Sequence, residues 1–194
     1  MSPSRLNFKI YQGSTFREVL RWESDTKVYV PITNISKTAP MVVTATAHGA
    51  PEGWRVKIYG VGGMKEINDT TDYIIATAIA ANTLTFNSVN ASAYTTYTSG
   101  GTLEYNQPVP LASYSARMQI RSKLASTDII DELTTTNGRI ILDTTASTIT
   151  LTIPAATTAA YTFKTAVYSL ELVAGAEVIP FIYGNITLDF EVTR

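Results

Sequence analysis

Ala116, Met118 and Ile120 alternate with Arg117, Gln119 and Arg121, the period of two required by an extended strand with one buried face. The same period returns in Leu6, Phe8 and Ile10, in Ile149, Leu151 and Ile153, and in Ile186, Leu188, Phe190 and Val192. Phe16 to Trp22, Met41 to Ala47, Trp54 to Tyr59 and Thr83 to Phe86 are further short runs rich in residues that suit a pleated sheet. Between the runs, Gln12-Gly13-Ser14, Ser24-Asp25-Thr26 and Gly60-Val61-Gly62-Gly63 predict turns, and Gly175 predicts a reversal between paired strands. Asn137-Gly138, between Ile129 to Leu133 and Arg139 to Leu142, carries the strongest short hairpin signal. Pro154 followed by Ala155 to Ala160 predicts one helical turn. Short strands with turn signals about every 8–12 residues spell an all-β chain of the sandwich or barrel kind.

Composition narrows what such a chain does. Hydrophobic residues make up 45% and charged residues 16%, so a buried core is expected rather than disorder. The net charge is −1 and no run of Lys or Arg occurs, which argues against nucleic acid and anionic membrane as partners. With no cysteine, disulfides, thiolate nucleophiles and thiolate metal sites are excluded together, as expected of a protein folding in a reducing cytoplasm. No stretch approaches the roughly 20 apolar residues of a membrane helix, and Met-Ser-Pro-Ser-Arg-Leu-Asn-Phe lacks the apolar stretch of a signal peptide.

The texture changes at Pro31 and again from Tyr105 to Pro110, where Pro108 and Pro110 mark a linker. Ile10-Tyr11-Gln12-Gly13-Ser14-Thr15-Phe16, Tyr114 to Arg121, Tyr168-Ser169-Leu170-Glu171-Leu172-Val173 and Glu191-Val192-Thr193-Arg194 resemble a family of small tailed-bacteriophage structural proteins. Between them, Val42 to Gly49, Val61 to Asn68 and Tyr97-Thr98-Ser99-Gly100-Gly101-Thr102 resemble a different module. It is similar to the first catalytic cysteine half-domain of ubiquitin-activating enzymes and is carried widely by phage tail proteins. That likeness names a fold and implies no ubiquitin chemistry. The two resemblances together imply a discontinuous immunoglobulin-like β-sandwich (residues 1–30 and 105–194) carrying an inserted small β-barrel-like domain (residues 31–104). They further imply a virion structural protein of the tail, baseplate or fibre-attachment region, made in the host bacterial cytoplasm. Its partners would be other virion proteins and copies of itself in a symmetric oligomer. A carbohydrate- or receptor-binding module of a tail tip and a head-decorating protein are the alternatives.

The chemistry-bearing residues predict no catalytic, cofactor or metal site. His48, the single histidine, precedes Gly49 and reads as a strand-end turn residue, because a Ser-His-Asp triad or a metal site needs partners that cannot be assigned. Asp128, Asp131 and Glu132 form the densest acidic cluster; a carboxylate pair could serve glycoside hydrolysis, but the spacing fits a strand entry with solvated acids. Gly60-x-Gly62-Gly63 lacks the following helix and Gly-Lys-Ser/Thr ending of a phosphate loop. Asn68, Asp69 and Asp72 do not match the spacing of a calcium loop. The remaining candidates are aromatic: Tyr94, Tyr97 and Tyr105, with Trp54 and Tyr59, are candidates for an interaction surface for protein or host glycan; Trp54 and Tyr59 could equally be core residues of the inserted domain, and that reading is preferred for Trp54.

Overall fold

The computed structural model, which describes residues 3–68 and 73–192, is all-β apart from two short helical turns. The chain opens with β1 (Ser4–Arg5), β2 (Phe8–Tyr11) and β3 (Phe16–Arg21) in the first of two compact units. The second unit follows, with β4 (Glu23–Pro31), β5 (Asn34–Ile35), β6 (Met41–Thr44) and β7 (Arg55–Gly62). After a 3-10 turn at Lys65–Ile67 come β8 (Ile74–Ile75), β9 (Ala78–Ala80), β10 (Thr83–Phe86) and β11 (Ser99–Pro108). On its return the chain adds β12 (Ser115–Arg121), β13 (Asp131–Thr134), β14 (Ile140–Asp143) and β15 (Thr148–Ile153) to the first unit. The helical turn α1 (Ala155–Ala159), β16 (Thr165–Ala174) and β17 (Glu177–Asp189) complete it.

The units comprise residues 1–21 with 110–194, and residues 22–109. The boundary therefore falls at Arg21/Trp22 and Val109/Pro110, outside the expected breaks at 30/31 and 104/105. The cause is β4, which runs straight through the turn expected at Ser24-Asp25-Thr26 and pairs with β11 from Pro31↔Thr102 to Glu23↔Pro108. Those three residues stand opposite the single residue Gln107, so their turn chemistry is spent on a bulge within a continuous ladder. Beyond its end, the Val109 N–H donates to the Trp22 carbonyl at 3.0 Å. The first and last residues of the second unit are thereby joined.

In the first unit a six-stranded sheet has the order β1-β17-β16-β12-β13, with β2 also pairing along β17. A three-stranded sheet, β14-β15-β3, accompanies it. Met118, Ile120, Leu170, Leu172 and Ile186 of the larger sheet are buried, as are Ile149, Leu151 and Ile153 of the smaller. Phe8 links the two sheets, stacking on Tyr168 of β16 at 4.7 Å and lying 5.3 Å from Phe16 of β3. β1 and β2 both run parallel to β17, and the segment between them crosses it closely. A Cβ on Gly184 would meet the Leu6 carbonyl oxygen at 1.8 Å, so only glycine admits that crossing.

Asn137-Gly138 does not form the expected hairpin. β13 pairs with β12, and β14 pairs with β15, so the corner carries the chain from one sheet to the other. The local chemistry is what the dipeptide promised: Gly138 has φ +73°, and the Asn137 carboxamide oxygen accepts from the Thr134 and Arg139 N–H groups. Turn geometry alone does not decide which strand comes next.

The second unit packs the sheets β5-β6-β10-β9 and β4-β11-β7-β8 around one cluster. Met41, Val43, Leu84 and Phe86 come from the first sheet, and Val56, Ile58, Leu103 and Tyr105 from the second, with Trp54 fully buried among them. The Gly60–Gly63 turn expected from sequence is instead the last stretch of β7, which continues to Gly62 and pairs with Ser99. Phe86→Ala is expected to lower the stability of this unit by about 3–5 kcal/mol, the cost of an unfilled core cavity. Urea unfolding followed by tryptophan fluorescence measures it, since both Trp22 and Trp54 lie in this unit. A loss below about 1 kcal/mol would mean that Phe86 is not packed in this core.

Candidate interaction surface

Of the groups with acid–base chemistry, His48 and Asp131 are committed to the fold. His48 is buried; its Nε2–H donates to the Ala80 carbonyl at 2.8 Å and its Nδ1 accepts from the Ala50 N–H at 3.1 Å. Because a carbonyl only accepts and a backbone N–H only donates, that pair of bonds assigns the donor role to Nε2 and the acceptor role to Nδ1, and engages both ring nitrogens. Asp131 and Glu132 are adjacent on β13, so strand alternation sends their carboxylates to opposite faces. Glu132 accepts from the Gln119 amide at 2.7 Å on the solvent face. Asp131 receives both terminal nitrogens of Arg139, at 2.6 and 2.5 Å, and the Tyr161 hydroxyl. Asp128 lies in an exposed loop, its N–H held by the Ser126 hydroxyl. Asn68 pairs its amide with both backbone groups of Val61, whereas Asp69 and Asp72 lie outside the described residues.

The three tyrosines expected at one surface have three different environments. Tyr105 is a correction: it is 3% exposed, in the core of the second unit, and its hydroxyl donates to the His48 carbonyl at 2.5 Å. It follows Leu103 on the inward side of β11, an alternation masked in the sequence by the glycines and prolines around it. Burial pushes its hydroxyl pKa up. Tyr97 is half-buried against the core, with its hydroxyl between the carbonyls of Gly100 (3.0 Å) and Ile32 (3.2 Å). Tyr94 is half-buried against the same core. Their loop is pinned by Glu66, whose Oε1 accepts from the Thr95 N–H at 2.7 Å and its hydroxyl at 2.9 Å. Those backbone donors, its own N–H first and that of Thr95 second, hold the Glu66 carboxyl below the ordinary range. Gly63 packs beneath the loop, where a Cβ would stand 2.2 Å from the Thr96 carbonyl oxygen.

Two outward faces carry more exposed chemistry than that loop. On the sheet β4-β11-β7-β8, Tyr29 is 58% exposed and Tyr59 and Tyr73 are half-exposed. Lys27 bonds the Tyr73 hydroxyl at 2.5 Å and Glu104 at 3.1 Å, while Arg55 grips Glu23 at 2.7–2.8 Å. Both cations stand over the Tyr73 ring, 5.1 and 5.3 Å from its centre. Partial loss of water, then the nearby Glu104 and Tyr29, push the Tyr59 hydroxyl pKa up. In the first unit, Arg117, Gln119 and Arg121 line two adjoining hollows of about 310 and 190 Å³ with residues of β16 and β17. Period-two spacing put these three side chains on one face of β12; which strands complete that face depends on long-range pairing.

No protein-family model matches the chain, and no curated protein matches it significantly. Its chemistry must be read from its own residues.

Asp131, Arg139 and Tyr161 form a partly buried polar knot, with the Asp131 and Arg139 side chains 13% and 20% exposed. Burial alone would raise the Asp131 pKa, but the bonds from Arg139 and Tyr161 outweigh it and hold the carboxyl below its ordinary range. A depressed folded-state pKa adds stability that is present above the unfolded value of about 4 and is lost as pH falls through the folded value. Asp131→Asn should therefore cost roughly 2–4 kcal/mol at neutral pH and remove that part of the acid sensitivity. Urea midpoints between about pH 6 and about pH 2 test it. A variant as stable and as acid-sensitive as the wild type would contradict it.

Proposed function

We propose that the chain is a non-catalytic structural protein of a tailed-bacteriophage virion, in the tail, baseplate or fibre-attachment region, assembling with copies of itself and with other virion proteins. The observation that carries the assembly role is the outward face of the sheet β4-β11-β7-β8. Tyr29, Tyr59 and Tyr73 stand there among Arg55, Lys27, Glu23 and Glu104. Tyrosine and arginine dominate the energetic centres of protein contacts, because they bury large, semi-rigid surfaces and still end in a polar group. Charges of both signs paired in advance lower the cost of ordering that face on contact. His48 and Asp131 are spent on internal bonds, which supports a role in holding rather than converting a partner.

The particle itself comes from the resemblance of residues 10–16, 114–121 and 168–173 to tailed-phage structural proteins. In a ring, each copy's contact need only be modest, because neighbouring contacts raise the effective concentration of the next. Quantitative mass spectrometry of purified particles tests this reading. The wild-type chain is expected at fixed copy number, and a folded Tyr29→Ala/Tyr59→Ala double variant should be incorporated about tenfold less or worse. Absence of the wild-type chain from particles, or equal incorporation of the variant, would overturn the proposal.

A further inference from the structure

Strand register arranges the solvent face of the six-stranded sheet as a grid. Gln119 of β12 lies opposite Ser169 of β16, which lies opposite Tyr183 of β17. The row on one side is Arg117 and Glu171; on the other it is Arg121, Val167 and Asn185. Ser169, the smallest of them, sits at the centre, so larger side chains rise around it and leave a basin with a hydroxyl on its floor. The hollows of about 310 and 190 Å³ meet there, sharing Gln119 and Ser169.

The walls of the basin differ. One is a set of planar polar groups already locked in place. Gln119 donates to Glu132 at 2.7 Å and accepts from Arg121 at 2.7 Å; Arg121 also donates to the Ser126 carbonyl at 2.5 Å. Arg117 is paired with Glu171 at 2.8 Å. The other wall, on the β17 side, carries the Tyr183 ring, 44% exposed, and Leu124, 89% exposed, lines the basin beyond the end of β12. Two guanidiniums are balanced by two carboxylates, so the basin does not select an anion or a cation.

From this geometry we infer a binding site for a neutral saccharide. A pyranose has an apolar C–H face, which an exposed tyrosine ring covers, and an equatorial edge of hydroxyls that both donate and accept. The polar wall offers both functions: guanidinium N–H donors, and amide and carboxylate oxygens as acceptors. Because Gln119 and Arg121 are held by mutual bonds, little side-chain freedom is lost on binding. The inference is independent of the assembly role, which rests on a different unit and a different face.

Immobilised oligosaccharides ending in glucose, galactose, mannose or N-acetylhexosamine, with sialylated and sulfated ones alongside, provide the test. The wild-type chain should retain at least one neutral glycan. Tyr183→Ala and Gln119→Ala, both on the solvent face, should weaken that binding by about tenfold or more, with Glu52→Ala, at an exposed turn of the second unit, unchanged. Circular dichroism verifies that each variant is folded. Silence across the neutral panel, binding confined to sialylated or sulfated glycans, or full binding by Tyr183→Ala would each overturn the inference.

Discussion

The pairing of β4 with β11 is the constraint on which the chain's organisation depends. It begins where the chain leaves the first unit and ends where the chain comes back, sealed by the bond from the Val109 N–H to the Trp22 carbonyl. A segment whose two ends are hydrogen-bonded together can be set into a host loop with little further entropy of closure. β11 also pairs with β7 on its other side, so the same strand that closes the insertion is central to its sheet. The core of Trp54, Phe86 and their neighbours is then complete within residues 22–109.

In the first unit β17 plays the corresponding part. Thirteen residues long, it takes β1 and β2 in parallel along one side and β16 along the other, so the first two strands are laid directly on the last. The cost of this arrangement is local: Gly184 must lack a side chain, and Asn7 must lend its carboxamide oxygen to the Asn185 N–H where the ladder between β1 and β2 is interrupted. The Asp131–Arg139–Tyr161 knot adds polar bonds between β13, the corner before β14 and the segment after α1. Such a knot stabilises less than its short distances suggest, because its groups must first give up water. Removing one member is the costly event.

Much of this fold was legible as period-two alternation. The strands over Thr83–Phe86 and Thr148–Ile153 and the helical turn after Pro154 stand where the pattern put them. What alternation could not supply was partnership. Ser24-Asp25-Thr26 and Asn137-Gly138 have turn chemistry, yet one makes a bulge and the other a passage between sheets, because local φ/ψ preference is blind to the next strand's sheet. Tyr105 was misplaced for a related reason: next to Pro108 and Pro110 it looked like linker, while the ladder to β4 turns it inward. The basin around Ser169 was half visible, as Arg117, Gln119 and Arg121; Tyr183 joins it only through the register of β16 with β17.

The most direct measurement is the unfolding of a chain in which a short Gly-Ser linker joins Arg21 to Pro110, the residues flanking the Trp22–Val109 bond. If residues 22–109 are a self-contained insertion, the shortened chain keeps a cooperative urea transition and a dispersed NMR spectrum. A shortened chain that is unfolded, or that melts without cooperativity, would show that the first unit depends on the second and would contradict the division into host and insert.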